Sequence, residues 1–222
     1  MEIIKATGIH KTYNPDKIPV HALRGVDLGI EKGEFTAIVG PSGSGKTTLL
    51  NIIGGLDTPD KGSIIINNTD ISSFMDNEMI NFRRDNIGFV FQAYNLIPVL
   101  TAKENVEFVM VLQNRNLKER TERAEELLNA VDLGDKMDKR PSELSGGQQQ
   151  RVAVARALAS NPTFVLADEP TANLDSTTTA NLLDMMLELN QKEKMTFVFS
   201  THDQRVIDRA RRVITLVDGK IV

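Results

Sequence analysis

Gly40-Pro41-Ser42-Gly43-Ser44-Gly45-Lys46-Thr47 is the stretch whose reading decides the fold. It matches G-x-x-x-x-G-K-[ST], and its neighbours suit that pattern. Before it, Glu34-Phe35-Thr36-Ala37-Ile38-Val39 is short, β-rich and ends at Gly40, which predicts a buried strand. After it, Lys46-Thr47-Thr48-Leu49-Leu50-Asn51-Ile52-Ile53 is apolar on most faces, which predicts a buried helix stopped by Gly54-Gly55. The glycines let the backbone curl so that several N–H groups point at phosphate oxygens. The helix that follows adds the positive end of its dipole. Lys46 is then expected to reach the β and γ phosphates and the Thr47 hydroxyl to ligate Mg²⁺, with Thr48 beside them.

Working outward, Ile64-Ile65-Ile66, a turn at Asn67-Asn68 and Asp70-Ile71 read as a hairpin, and Ile87-Gly88-Phe89-Val90-Phe91 as a further strand. The segment 93–149 has a different character. Thr101-Ala102-Lys103-Glu104 is a capping box before an apolar run. Leu117, Ala124, Leu127, Leu128 and Val131 recur at near-helical spacing among charges, which predicts a helical insertion with one solvated face. Beyond it, Thr163-Phe164-Val165-Leu166-Ala167 and Thr196-Phe197-Val198-Phe199-Ser200 read as central parallel strands, and the C-terminal Asp218-Gly219 as a hairpin turn. Strands alternating with helices imply a mostly parallel sheet covered on both faces.

Bulk properties bound the function. The chain has 222 residues, 41% hydrophobic and 25% charged, enough for one α/β domain with a core of its own. Its net charge of −4 gives no basic footprint for nucleic acid. Arg209, Arg211 and Arg212 form a short basic run that reads either as a patch or as a solvated helix end. The absence of cysteine excludes disulfides and thiolate metal sites. The start carries no signal-peptide pattern, and no apolar run approaches the roughly 18 residues of a membrane helix. Any membrane role is therefore expected to come through a partner.

Two further motifs carry chemistry. Val165-Leu166-Ala167-Asp168-Glu169 puts two carboxylates at the end of an apolar strand, where ligands of open parallel sheets bind. Beside a phosphate loop, Asp168 suits the Mg²⁺ shell, through water, and Glu169 suits a general base for the attacking water. Leu144-Ser145-Gly146-Gly147-Gln148, followed by Gln149-Gln150-Arg151, sets a serine and two glycines at a helix start, a second anion-binding surface. One chain does not need two such surfaces for one triphosphate. A second copy turned head to tail would use both.

This combination resembles the ATP-binding-cassette (ABC) ATPases over essentially the whole chain. The resemblance implies an α/β P-loop NTPase fold of the ABC type: a RecA-like parallel-sheet core, an antiparallel β subdomain and an inserted α-helical subdomain. It implies one domain over 1–222, with 1–92 and 150–222 as nucleotide-binding core and 93–149 as the helical signature subdomain. By the same resemblance Tyr13 stacks on adenine, and Gln92 senses Mg²⁺ and water and links to the membrane partner. Asn173-Leu174-Asp175 crosses the dimer interface, and His202 contacts the γ phosphate. Ser145, Gly146, Gly147 and Gln148 serve the opposite chain's site. His10 and His21 are read as structural.

Within the family the chain is similar to the lipoprotein-release and macrolide-export ATPases (the LolD and MacB type). The carriers are Asn51-Ile52-Ile53-Gly54-Gly55-Leu56-Asp57, Phe91-Gln92 with Asn95-Leu96-Ile97-Pro98, and Thr101-Ala102-Lys103-Glu104-Asn105-Val106. Tyr94 stands where related members often carry Phe. With the chain ending soon after Asp218-Gly219, the C-terminal regulatory domain of some importers is not expected.

The expected function is that of an ATP- and Mg²⁺-dependent ATP hydrolase powering a separate membrane permease for export or extracytoplasmic work. It would lie in the cytoplasm, peripheral on the inner face of the cell membrane. The permease is expected near residues 92–99, because Tyr94, Leu96, Ile97, Pro98 and Val99 are apolar for a loop. Burial within the helical subdomain explains the same residues equally well. A cell-division-type cassette driving a related membrane protein is the alternative. A soluble cassette acting on DNA or ribosomes is remote, since the chain is acidic and has neither a second cassette nor a long coiled-coil insertion.

Overall fold

A computed structural model describes residues 1–14 and 17–222. In chain order it contains β1 (Glu2–Tyr13), β2 (Val20–Glu31), β3 (Phe35–Val39), α1 (Lys46–Ile53), β4 (Lys61–Ile66) and β5 (Thr69–Asp70). Next come α2 (Asp76–Asn86), β6 (Ile87–Val90), α3 (Ala102–Leu112), α4 (Leu117–Ala130) and α5 (Gly146–Ala159). The chain closes with β7 (Phe164–Asp168), α6 (Ser176–Glu193), β8 (Thr196–Ser200), α7 (Gln204–Ile207), β9 (Arg212–Val217) and β10 (Lys220–Ile221).

Two sheets result. The larger has the order β10-β9-β3-β8-β7-β6 and is parallel except for its edge strand β10; the smaller is antiparallel, β2-β1-β4-β5. The period of two along each central strand divides the apolar residues between two cores. Phe197 and Phe199 of β8, with Val165 and Ala167 of β7, face the helices α3 to α6. Val198, Phe164 and Leu166 face the other way, onto α1 and the antiparallel sheet. On the first face Phe35 packs 4.6 Å from Phe199 and 5.7 Å from Phe197, centroid to centroid. All three rings are fully buried. Each contributes about 2–3 kcal/mol of apolar burial.

The helix expected over residues 46–53 is α1 residue for residue. Asn67 and Asn68 (φ 47° and 64°) turn β4 into β5, and Asp218 and Gly219 (φ 47° and 76°) turn β9 into β10. Thr101 caps α3 as expected: its hydroxyl accepts from Glu104 N–H, and the Glu104 carboxylate accepts from Thr101 N–H. Leu117 departs from its expected place on the buried face. It occupies the first turn of α4 and is 65% exposed, while Ala124, Leu127 and Leu128 are buried. α5 runs without a break across residues 149 and 150, and its apolar side joins the same core as Phe197 and Phe199.

The carboxyl ends of β3, β6, β7 and β8 all open on one edge of the parallel sheet. Register places Ser200 beside both Ile38 and Asp168. Everything that follows each strand is therefore delivered to the same place.

Candidate functional site

The loop after β3 turns back on itself through residues only glycine tolerates. Gly45 has φ 103°, and a Cβ there would strike the Ala22 carbonyl; Gly40 has φ 154° and lies against the Leu216 carbonyl. Lys46, 9% exposed, folds over the loop and donates to Gly40 O (2.8 Å) and Pro41 O (3.1 Å). Helices α3 to α7 each have a side-chain cap, from Thr101, Asn116, Ser145, Asp175 and Asp203. α1 has none, and no acidic residue in its first turn. Its N-terminal N–H groups are left for a ligand, which fits phosphate.

A cleft of about 610 Å³ opens over this loop. Of the residues singled out in the sequence, Tyr13, residues 40–43 and 45–48, Gln92, Glu169 and His202 line it. Ser44 is buried beneath the loop, 3% exposed. Asp168 reaches the cleft floor by accepting from the Thr47 hydroxyl at 3.1 Å. That hydroxyl and carboxylate are hard oxygen donors, and no group of three or more His, Cys, Asp or Glu that could cage a metal occurs among the described residues. The pair suits Mg²⁺, which takes few protein ligands and fills its shell with water and substrate phosphates.

Glu169, just past β7, has a left-handed backbone (φ 46°) and donates its N–H to Ser200 O (2.9 Å). Such a conformation in a non-glycine residue costs about 1 kcal/mol or more. It turns the carboxylate back toward β8, where His202 Nδ1 lies 2.7 Å from Oε1. The Gln92 carbonyl accepts from Asn173 Nδ2 at 3.1 Å, which joins the end of β6 to the loop after β7.

Ser145, Gly146, Gly147 and Gln148 do not line this cleft. They form the first turn of α5, where Gln148 Oε1 accepts from Ser145 N–H (2.9 Å) and Ser145 Oγ accepts from Gln148 N–H (3.3 Å). Ser145 Oγ keeps its own proton to donate. A Cβ on Gly147 would overlap Thr178 Cγ2, and one on Gly146 would sit 2.9 Å from the Tyr94 hydroxyl.

Several residues of this region escaped the sequence reading. His21, read as structural, lines the cleft. Asn105 is fully buried and spends its amide on the loop before α3, accepting from Ile97 N–H and donating to Ile97 O, Leu100 O and Thr101 O. Arg156 donates to the Tyr94 and Asn95 carbonyls, and burial pushes its guanidinium below its ordinary value. Capping boxes apart, neither the local amide contacts of Asn105 nor the distant guanidinium contacts of Arg156 leave a spacing signal in a sequence. The run Arg209, Arg211, Arg212 is largely neutralised: Arg209 pairs with Asp184 (2.7 Å) and Arg212 with Glu34 (3.1 Å). No helix among the described residues is long and apolar enough to cross a membrane.

Residues 23–172 match the family model described as "ABC transporter". An uncharacterized ABC transporter ATP-binding protein of Thermotoga maritima is 46% identical over 220 residues, 99% of this chain and 94% of that protein. The macrolide export ATP-binding/permease protein MacB of Campylobacter jejuni is 48% identical over 200 residues, 90% of this chain but 31% of its own length. Among solved structures, the ATP-binding cassette MJ0796 of Methanocaldococcus jannaschii, a dimer in a post-hydrolysis state bound to ADP and Pi, superposes with a TM-score of 0.90 at 46% identity. That match covers 98% of this chain and 96% of the other. With its phosphate loop, its strand-end carboxylates and relatives matched from end to end, the chain belongs to the ABC transporter family as an ATP-binding, ATP-hydrolysing cassette of the MacB-like group.

Proposed function

We propose that two copies of this cassette close head to tail around two ATP molecules and that the closure drives a separate membrane permease in export or extracytoplasmic work. The observation that carries this reading is that Ser145 to Gln148, a helix start with a free hydroxyl proton, stands outside the chain's own cleft. A second chain supplies the use for it.

In each site, one chain's phosphate loop and Lys46 hold the triphosphate, and Tyr13 stacks on the base. Thr47, Asp168 (through water) and Gln92 would hold Mg²⁺, which when bound neutralises charge on the phosphate oxygens. Glu169 accepts the proton of the attacking water as general base, and His202 orients that carboxylate and reaches the γ phosphate. The partner's signature serine donates to the same phosphate from the other side. ATP favours the closed dimer because only that form contacts it from both chains, so hydrolysis releases the bias.

The permease would dock over residues 92–99, at the entry to the helical segment. Pro98 and Val99 are exposed there, whereas Leu96 packs on the core. The cassette would sit peripherally on the cytoplasmic face of the membrane through that contact. The test is light scattering on the purified Glu169→Gln chain. A dimer with ATP and Mg²⁺ but a monomer with ADP is expected; a monomer under both conditions overturns the proposal.

A further inference from the structure

The rim of the cleft holds a cluster of side chains that the reaction chemistry does not use. Lys11 and Tyr13 lie at the end of β1; Asp57 lies beyond the end of α1. The Asp57 carboxylate accepts from both, Lys11 Nζ at 2.6 Å and the Tyr13 hydroxyl at 2.7 Å. Lys11 Nζ also donates to Thr58 O (2.7 Å) and stands 5.3 Å from the centroid of the Tyr13 ring. The Lys11 and Asp57 side chains are only 12% and 24% exposed, so this pair is shielded in a way that surface ion pairs are not. Burial alone would raise the Asp57 carboxyl, but the bonds from Lys11, Tyr13 and Thr58 N–H outweigh it and hold the group below the usual carboxylate range.

We propose that Asp57 is a positioning residue for base recognition: through the Tyr13 hydroxyl and Lys11 it holds the Tyr13 ring in the orientation that stacks on the nucleotide base. The proposal rests on reading Tyr13 as the base-stacking residue. An aromatic ring at a strand end, 37% exposed, has rotamers to lose on binding, and fixing it beforehand removes that cost. The carboxylate fixes the hydroxyl end. The ammonium takes one face of the ring by cation–π attraction and leaves the other for the base. Because α1 starts at Lys46 and Asp57 follows its end, base platform and phosphate loop are tied to the same helix.

A clip that merely joins β1 to the 57–60 segment has no need of the Tyr13 hydroxyl. That segment is also zipped independently, by Asp60 N–H to His10 O (2.8 Å) and Thr12 N–H to an Asp60 carboxylate oxygen (2.6 Å). Removing the Asp57 carboxylate should therefore free the ring without releasing the chain.

The experiment compares binding of ATP and of inorganic triphosphate, both with Mg²⁺, to the full chain and its variants by calorimetry. Asp57→Ala should weaken ATP about tenfold and leave triphosphate within about twofold, since only the base contact is loosened. Tyr13→Phe should weaken ATP similarly, and the two changes together should not add. In a Tyr94→Phe background, where Tyr13 is the sole tyrosine, Asp57→Ala should also lower the pH at which the phenol absorbance titrates, because burial first, and then the Asp57 bond and charge, raise it. Unchanged ATP affinity in Asp57→Ala, equal losses for ATP and triphosphate, or an unmoved phenol titration overturns the proposal. Tyr13→Ala separates the two levels: if it leaves ATP affinity unchanged, the stacking reading itself falls; if it weakens ATP while Asp57→Ala does not, only the positioning role falls. Should Asp57→Ala fail to fold, Tyr13→Phe, which removes the hydroxyl that Asp57 holds and keeps the ring, carries the same comparison of ATP with triphosphate.

Discussion

His202 Nδ1 lies 2.7 Å from Glu169 Oε1, with the imidazole 73% exposed and the carboxylate 16%. Thr201 Oγ1 stands 3.4 Å from the other carboxylate oxygen, so the end of β8 addresses both oxygens of a residue at the end of β7. A general base works only when its oxygen is held toward the proton it removes. Glu169→Gln keeps the shape and the hydrogen-bonding capacity but not the basicity. Turnover should fall at least about a hundredfold, with ATP affinity within about threefold of the parent. Phosphate release and equilibrium ATP binding check the two halves separately.

His202→Ala should lower turnover about a hundredfold as well, because Glu169 loses the group that orients it. In the proposed site the two side chains act as one unit, so the Glu169→Gln, His202→Ala double variant should be hardly worse than either alone. Losses that multiply would show that His202 works independently of the carboxylate.

Gly147 touches the start of α6 so closely that a methyl group would overlap Thr178 Cγ2. Thr178 cannot simply turn away, since its hydroxyl donates to Asp175 at 2.6 Å. Gly147→Ala should therefore destabilise the fold by about 1–3 kcal/mol through overpacking. Thr178→Ser, which removes the obstructing methyl and keeps the hydroxyl, should restore most of it. Urea denaturation of the single and double variants measures both effects.

Asp203 caps α7 and joins it to the loop after β7, accepting from Arg205 N–H (2.9 Å) and from the Thr171 hydroxyl (3.0 Å). The Arg205 guanidinium, more than burial opposes it, holds this carboxyl below the usual carboxylate range. The unfolded chain then binds the proton more readily than the native one. The stabilisation is complete above the unfolded value of about 3.9 and is lost as pH falls through the lower folded value. Arg205 is 38% exposed, so solvent screening keeps the contribution of the ion pair small beside that of the helix cap. Asp203→Asn should lower the melting temperature at pH 7 and flatten the loss of stability below about pH 4.

How much of this was legible in the residues depended on how local the cause was. The phosphate loop, α1, β8 and the turns at Asn67-Asn68 and Asp218-Gly219 each declare themselves within a few residues, by glycine placement or by an unbroken apolar run. The long strands β1 and β2 do not. Their pairing shifts register between Ala6 and Ile9 and again at Ile9/His10, and Gly8 and Gly25 take positive φ, so the alternation that marks a strand is interrupted. α2 buries no residue fully and sets only Met79 and Phe82 against the core, too short an apolar stripe to read. The carboxylate of Asp57 meets Tyr13 across 44 positions, and no spacing rule links them.

In the proposed dimer the signature residues of one chain complete the site of the other, and complementation tests that most directly. Lys46→Ala destroys a chain's own phosphate loop and leaves its signature; Ser145→Arg does the reverse. Each variant alone should be nearly inactive. In a mixture, a mixed dimer pairs the intact loop of the Ser145→Arg chain with the intact signature of the Lys46→Ala chain. ATP hydrolysis should therefore reappear on mixing and peak near equal proportions. A mixture no more active than its separate components, under conditions where mixed dimers form, would contradict the head-to-tail arrangement.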